Sequence, residues 1–127
     1  MLGNWLEANG GIMGNKFKAR GTAAETALVN YLRGRGQTAV ERRALTGAND
    51  KGDVAWLPWL AVEVKNARTP RYGEWLREAE AERSNSDAEI GVVVHKPHGT
   101  GITSQDNWHV VMTMSTFMSL LDRGGWL

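Results

Sequence analysis

Apolar and polar residues follow two different periods along this chain, and together the periods predict a mixed α/β domain. Leu28, Val29 and Leu32 recur at helical spacing, whereas the Val92–Val94 run is β-branched throughout. A continuous run of this kind is typical of an inner strand that is covered on both faces. The pattern predicts the following order of elements: helix 22–33, strands 37–43, 53–57 and 60–66, helix 71–83, strands 90–95 and 108–114, and helix 115–123. Helices packed on a mixed sheet are therefore expected.

The boundaries of the first helix have local signals. Thr22 and Glu25 form a capping-box pattern, and Gly34 and Gly36 follow the last apolar position. The residues before Thr22 are rich in glycine and asparagine, so we expect a flexible arm over 1–21 and a single domain over 22–127.

Two of the predicted strands are separated only by Pro58 and Trp59. A connection this short cannot contain a crossover helix, so the two strands should form an antiparallel hairpin. The loop before them, residues 44–52, is rich in glycine, asparagine and aspartate.

Composition narrows the functional classes. The 127 residues are 42% hydrophobic and 23% charged, which fits one globular domain. The absence of cysteine excludes disulfide scaffolds, thiol catalysis and cysteine-ligated zinc. The longest apolar run, residues 54–62, is too short to span a membrane, and the first residues lack the pattern of a signal peptide. We therefore expect a cytoplasmic protein without membrane contact.

The net charge of +1 conceals a segregation of charge along the chain. Residues 15–43 contain seven basic and two acidic side chains, whereas residues 66–90 contain four basic and six acidic ones. A basic first third is suited to a polyanionic partner.

Three carboxylates and a lysine form the most informative pattern. Glu63 and Lys65 share one face of a predicted strand because side chains alternate along it, and Asp53 opens the neighbouring strand. Glu25 continues the apolar stripe of the first helix. An unpaired charge there is costly, so the carboxylate requires a metal ion or a hydrogen-bond network, and this role is compatible with the capping box. Oxygen ligands of this kind suit Mg²⁺, with Mn²⁺ as a substitute.

These residues resemble the signature of the PD-(D/E)XK nucleases, and in particular archaeal-type Holliday junction resolvases and their phage-encoded relatives. The resemblance covers about residues 18–96 and includes Gly21 four positions before Glu25, arginines before the aspartate, and Glu63-Val64-Lys65. One position departs from the family pattern, because Gly52 stands where the family has proline before the aspartate.

The resemblance implies a restriction-endonuclease-like core, with a mixed central sheet flanked by helices. It also implies a Mg²⁺-dependent endonuclease that acts on branched DNA as a homodimer, leaves a 5′-phosphate and needs no small-molecule cofactor. Asp53, Glu63, the carbonyl of Val64 and Glu25 would bind the metal, directly or through water. Lys65 would orient or help to deprotonate the attacking water. The implied setting is the bacterial cytoplasm, with a phage or its host as the source.

The basic residues near these positions are suited to contacts with the phosphate backbone rather than with bases. The predicted DNA-binding residues are Lys16, Lys18, Arg20, Arg42, Arg43, Arg68 and Arg71.

Several alternatives remain open on the sequence. The same fold could serve a flap, nicking or restriction-type nuclease, or a non-catalytic DNA-binding module. Trp75 is expected in the core, whereas Trp56 and Trp59 suit core packing first, and a dimer interface or base stacking second. The spacing of His95 and His98 is weak evidence for zinc, because no cysteine or nearby carboxylate completes a ligand set.

Overall fold

The computed structural model describes residues 2–43 and 52–127, with side chains described from Lys18 onward. Within these ranges a five-stranded mixed sheet is accompanied by three α-helices and a 3-10 helix. The elements are α1 (Leu2–Gly34), β1 (Glu41–Arg42), β2 (Val54–Ala55), β3 (Leu60–Lys65), α2 (Tyr72–Asn85), β4 (Ile90–His95), the 3-10 helix (Gln105–Asn107), β5 (His109–Val111) and α3 (Met114–Arg123). The predicted order of helices and strands is confirmed.

Helix α1 begins much earlier than the sequence predicts. Its backbone is helical from Leu2, so the predicted helix start at Thr22 is wrong, and Thr22 and Glu25 lie inside the helix. Scattered glycines lower helix propensity by only about 1 kcal/mol each, which does not by itself terminate a helix. The division of the chain into an arm and a domain stays a prediction.

The predicted end of α1 is confirmed. The amide of Gln37 donates to the carbonyl of Leu32 and the amide of Gly36 donates to that of Arg33, at 3.0 Å each. This pair of bonds is the Schellman motif, which satisfies the last carbonyls of a helix.

The sheet has the order β1-β2-β3-β4-β5. The predicted hairpin is confirmed, because β2 and β3 are antiparallel with Val54 opposite Val62. Strands β3 and β4 are parallel, and α2 forms the crossover between them. Strands β1 and β2 are shorter than predicted, with two residues each.

The two faces of the sheet have separate apolar cores. Alternate residues of β3 and β4 pack with Leu28 and Leu32 of α1, whereas Val93 packs with Trp75 and Ala79 of α2. The expectation of an inner β4 covered on both faces is confirmed by the burial of Val92, Val93 and Val94. Each fully buried aliphatic side chain of this size contributes roughly 1.5–3 kcal/mol.

Helix α3 leaves apolar side chains exposed. Met114 is 69% exposed, and Phe117 and Met118 are more than 40% exposed. Within the described part of the chain, no helix combines the length and the hydropathy that crossing a membrane would require.

Candidate active site

Strand β3 presents Glu63 and Lys65 towards α2, as the alternation of side chains predicts. Glu63 is only 7% exposed, although it carries a carboxylate. The Nζ atom of Lys65 lies 3.2 Å from Oε1 of Glu63. The buried acid is therefore compensated by a cation two residues away on the same face.

Helix α2 adds a residue that the sequence analysis did not identify. Oε2 of Glu78 lies 2.5 Å from Nζ of Lys65, so Lys65 bridges two carboxylates. Glu78 comes three residues after the buried Trp75 on α2, so the two side chains lie on neighbouring positions of one helix face. This spacing is the only sequence signal that Glu78 faces the sheet.

The charge on Lys65 follows from these contacts. Burial is the largest single influence and opposes the charge, but the bonds and charges of Glu78 and Glu63 together outweigh it and raise the pKa of Lys65. Lys65 is therefore an ammonium group at neutral pH.

Asp53 is attached to the edge of β3 by hydrogen bonds with its backbone. The amide of Val64 donates to Oδ2 of Asp53 at 2.8 Å, and the amide of Asp53 donates to the carbonyl of Val62 at 2.9 Å. These bonds bring the Asp53 carboxylate beside the Glu63-Val64-Lys65 segment.

The turn before Asp53 requires glycine. Gly52 has a φ of 100°, and a Cβ atom there would lie 2.9 Å from the carbonyl oxygen of Val62. Proline fixes φ near −65°, so it could not form this turn.

The Glu63-Val64 segment offers two further oxygen atoms, one of the backbone and one of a side chain. In an extended strand the N–H and C=O groups of one residue point to the same side, so the carbonyl of Val64 faces the same edge as the amide that binds Asp53. Oε2 of Glu63 is buried and has no hydrogen-bond partner among the described residues. A buried carboxylate oxygen without a donor is costly, and a cation would relieve that cost.

Glu25 is held by an arginine in the described structure. Nε and Nη2 of Arg42 lie 3.0 Å and 2.9 Å from Oε2 of Glu25. Arg42 of β1 is thus the partner that the Glu25 carboxylate requires on the apolar stripe of α1. Glu25 and Asp53 line one cleft of about 350 Å³, together with Lys18, Arg42 and Arg43.

The proposed metal ligands have different partners in the described structure. Glu25 and Asp53 line one cleft, whereas Glu63 pairs with Lys65, which also binds Glu78. Over residues 18–43 and 52–127, no three His, Asp or Glu side chains are grouped so that they could hold a metal ion. The site for a divalent metal therefore stays a prediction.

The described basic residues of the predicted DNA-binding set all line clefts around this edge. Lys18, Arg42 and Arg43 line the cleft of Asp53, and Arg71 lines a cleft with Lys65 and Glu78. Arg20 and Arg68 line a third cleft. The side chain of Lys16 lies outside the described residues.

The aromatic residues near the hairpin are used in packing. Trp75 is buried, and Trp56 and Trp59 pack against the core on the α1 face, as favoured above. Nε1 of Trp56 donates to Oε1 of Gln37 at 3.0 Å, and the guanidinium of Arg123 lies 4.2 Å from the ring centroid of Trp59.

Comparison of the chain with protein-family models, curated proteins and solved structures finds no match. A function must therefore be argued from the residues and their geometry.

Proposed function

We propose that this protein is a metal-dependent DNA endonuclease with a restriction-endonuclease-like core, and that it cuts four-way junctions as a Holliday junction resolvase. The observation that carries the proposal is the 2.8 Å bond from the amide of Val64 to Oδ2 of Asp53. This bond joins the aspartate of the PD-(D/E)XK signature to the centre of its Glu63-Val64-Lys65 segment. The mixed sheet and its helices are also compatible with the mixed central sheet, flanked by helices, that the resemblance implies.

The residues present suit a divalent cation of the Mg²⁺ type. Asp53, Glu63 and the carbonyl of Val64 would hold it, and Glu25 would contribute directly or through water. The buried Oε2 of Glu63, which has no donor among the described residues, supports this assignment. A bound Mg²⁺ would polarise the phosphodiester and lower the pKa of a coordinated water.

Lys65 would act as a fixed positive charge. Its raised pKa keeps it protonated at neutral pH, so it is suited to orient the attacking water and to stabilise negative charge on the phosphate. A protonated lysine cannot accept the water's proton, which must pass to another base or to solvent. Glu78 is a positioning residue in this scheme, because its carboxylate fixes the Lys65 ammonium.

The reaction would be hydrolysis of one phosphodiester. Water adds to phosphorus, the bond to the 3′ oxygen breaks, and the products carry a 5′-phosphate and a 3′-hydroxyl. Two such cuts at symmetric positions resolve a junction, which requires two active sites. The homodimer is therefore part of the proposal, as is action in the bacterial cytoplasm. The exposed apolar residues of α3, Met114, Phe117 and Met118, support a protein contact there.

The substrate can be tested with end-labelled four-way junction, flap and linear duplex DNA, each incubated with Mg²⁺ or with EDTA. We expect paired, symmetric cuts in the junction that require Mg²⁺ and are suppressed by EDTA. Preferential cutting of the flap or the duplex would favour the alternative nuclease classes. Binding of the junction without any cleavage would favour the non-catalytic DNA-binding module.

A further inference from the structure

A third cleft, of about 340 Å³, lies at the carboxyl ends of the parallel strands β3 and β4. Three of its lining side chains carry a positive charge, one is a histidine and none is acidic: Arg20, Asn66, Ala67, Arg68, Lys96 and His98. Ligands of open α/β sheets bind preferentially outside the carboxyl ends of the strands. Lys96 and His98 are not part of the active site described above.

Specific hydrogen bonds hold the walls of this cleft together. The amide of Lys96 donates to the carbonyl of Lys65 at 2.8 Å, which aligns the segments that follow β3 and β4. Nδ2 of Asn66 donates to the carbonyl of Arg20 at 3.3 Å and so ties α1 to the same end of the sheet. The cleft is therefore built from three separate parts of the chain.

The buried His95 anchors Ala67, which lines the cleft. Its Nε2 lies 3.1 Å from the carbonyl of Ala67, and because a carbonyl only accepts, Nε2 must carry the proton in this bond. His95 is 1% exposed and packs against Trp75 with ring centroids 4.8 Å apart. The segment that presents Arg68 is thereby anchored to the core.

A tight turn positions His98. The amide of Thr100 donates to the carbonyl of Pro97 at 3.1 Å, and Gly99, the third residue of the turn, has a φ of 85°. A positive φ at this position is what a type II turn requires. His98 therefore occupies a defined corner of the cleft.

Two cations of this cleft, Arg68 and Lys96, lack the ion pairs that other basic side chains form. Arg42, Lys65, Arg71, Arg83 and Arg123 each form an ion pair with a glutamate. Arg68 and Lys96 have no such carboxylate partner within the described ranges. Like charges in one cleft repel one another, and a bound anion would remove that repulsion.

We infer that this cleft binds a phosphodiester of the nucleic-acid strand, distinct from the one that is cut. The guanidinium of Arg68 and the ammonium of Lys96 match the two kinds of cation that recognise phosphate. The bond between Lys96 and Lys65 places the cleft directly beside the proposed active site, so its phosphate belongs to a nucleotide near the cut. The assignment of this cleft to a phosphodiester of DNA rests on the proposed function, whereas the binding of a phosphate group in it does not.

The first test measures affinity for a labelled four-way junction in EDTA over a range of salt concentrations. Arg68→Gln and Lys96→Gln should each weaken binding about tenfold and lower the salt slope by about 1. The double variant should lose less than the product of the single losses, because both side chains hold the same phosphate. Unchanged affinity and slope in both single variants would overturn the inference.

The matched control is Arg35→Gln. Arg35 directly follows the carboxyl end of α1, fifteen residues after Arg20 and so about 22 Å away along the helix axis. The Arg35→Gln variant should bind DNA nearly as wild type does. An equal loss of affinity in this control would show a diffuse effect of charge and would contradict specific binding in the cleft. Equal thermal melting of all variants excludes misfolding.

Inorganic phosphate provides a second probe that is independent of DNA cleavage. Phosphate should shift the backbone amide NMR signals of residues 66–68 and 96–98 in the wild-type protein and not in Lys96→Gln. If no DNA is cut but these shifts and the loss of DNA binding occur, the nuclease proposal fails and phosphate binding in the cleft is supported. If junctions are cut and Lys96→Gln binds them as wild type does, the inference that the cleft binds DNA is wrong, even where phosphate shifts the signals.

Discussion

At the scale of single residues, Asp53 takes its position from the backbone of β3. The bonds from the amide of Val64 and to the carbonyl of Val62 direct its carboxylate along the sheet edge. Gly52 makes this possible, because it passes so close to Val62 that a side chain would collide with the strand. The geometry of the candidate site therefore depends on a residue that has no functional group.

Replacement of this glycine should be costly. Gly52→Ala introduces both a positive φ for alanine and a contact of 2.9 Å with the backbone, so we expect a loss of about 2–4 kcal/mol in the free energy of unfolding. Gly99→Ala is the matched control, since Gly99 also has a positive φ but has open space around it. Urea unfolding should show a clearly smaller loss for Gly99→Ala, and equal losses would mean that the collision is absent.

The sequence was sufficient to pair Glu63 with Lys65, because the period of two along a strand puts them on one face. It was not sufficient to identify Glu78 or the partner of Glu25. Both contacts join elements that are distant in the chain, α2 with β3 and α1 with β1. Their geometry depends on how a helix is rotated against the sheet, which no local pattern specifies.

At the scale of elements, most of the chain was predictable from its periodicity, with one large exception in α1. The capping-box pattern at Thr22 and Glu25 occurs in the middle of a helix, and the salt bridge of Glu25 with Arg42 accounts for the acid instead. The glycines before Thr22 indicated that the helix starts after them, but a low propensity only weakens a helix. The ends of β1 and β2 were also unpredictable, because the strands stop where pairing partners stop.

A hydrogen bond fastens the 3-10 helix to α1. The hydroxyl of Tyr31 donates to Oδ1 of Asp106 at 2.5 Å, and this bond raises the pKa of Tyr31 above the ordinary 10.0. A raised pKa means that the protonated phenol is stabilised by folding. The bond therefore contributes stability below pH 10, and the contribution is lost as the pH rises through the pKa of the folded state.

Tyr31→Phe tests this linkage. The variant should be less stable than wild type in urea at neutral pH, and the difference should shrink and vanish once Tyr31 ionises. Ultraviolet absorbance of tyrosinate should also show a lower pKa of Tyr31 in Asp106→Asn, which removes the charge of the acceptor. A stability difference that is independent of pH would contradict the account of this bond.

At the scale of the whole molecule, the net charge of +1 reflects local cancellation rather than a uniformly neutral surface. Basic side chains line three clefts around the carboxyl ends of the central strands, and acids beside α2 offset them. The sequence located the basic segments but could not show which cations are paired. That distinction separates Arg42, which neutralises Glu25, from Arg68 and Lys96, which lack a carboxylate partner among the residues described.

The most direct test of the account is the rate of Mg²⁺-dependent cleavage of a four-way junction by Asp53→Asn. The amide side chain can still accept the bond from Val64 but loses the charge that a divalent cation requires. We expect kcat to fall at least about a hundredfold while junction binding in EDTA remains, whereas the exposed control Asp122→Asn should cut as wild type does. Cleavage by Asp53→Asn at the wild-type rate would contradict the assignment of this site.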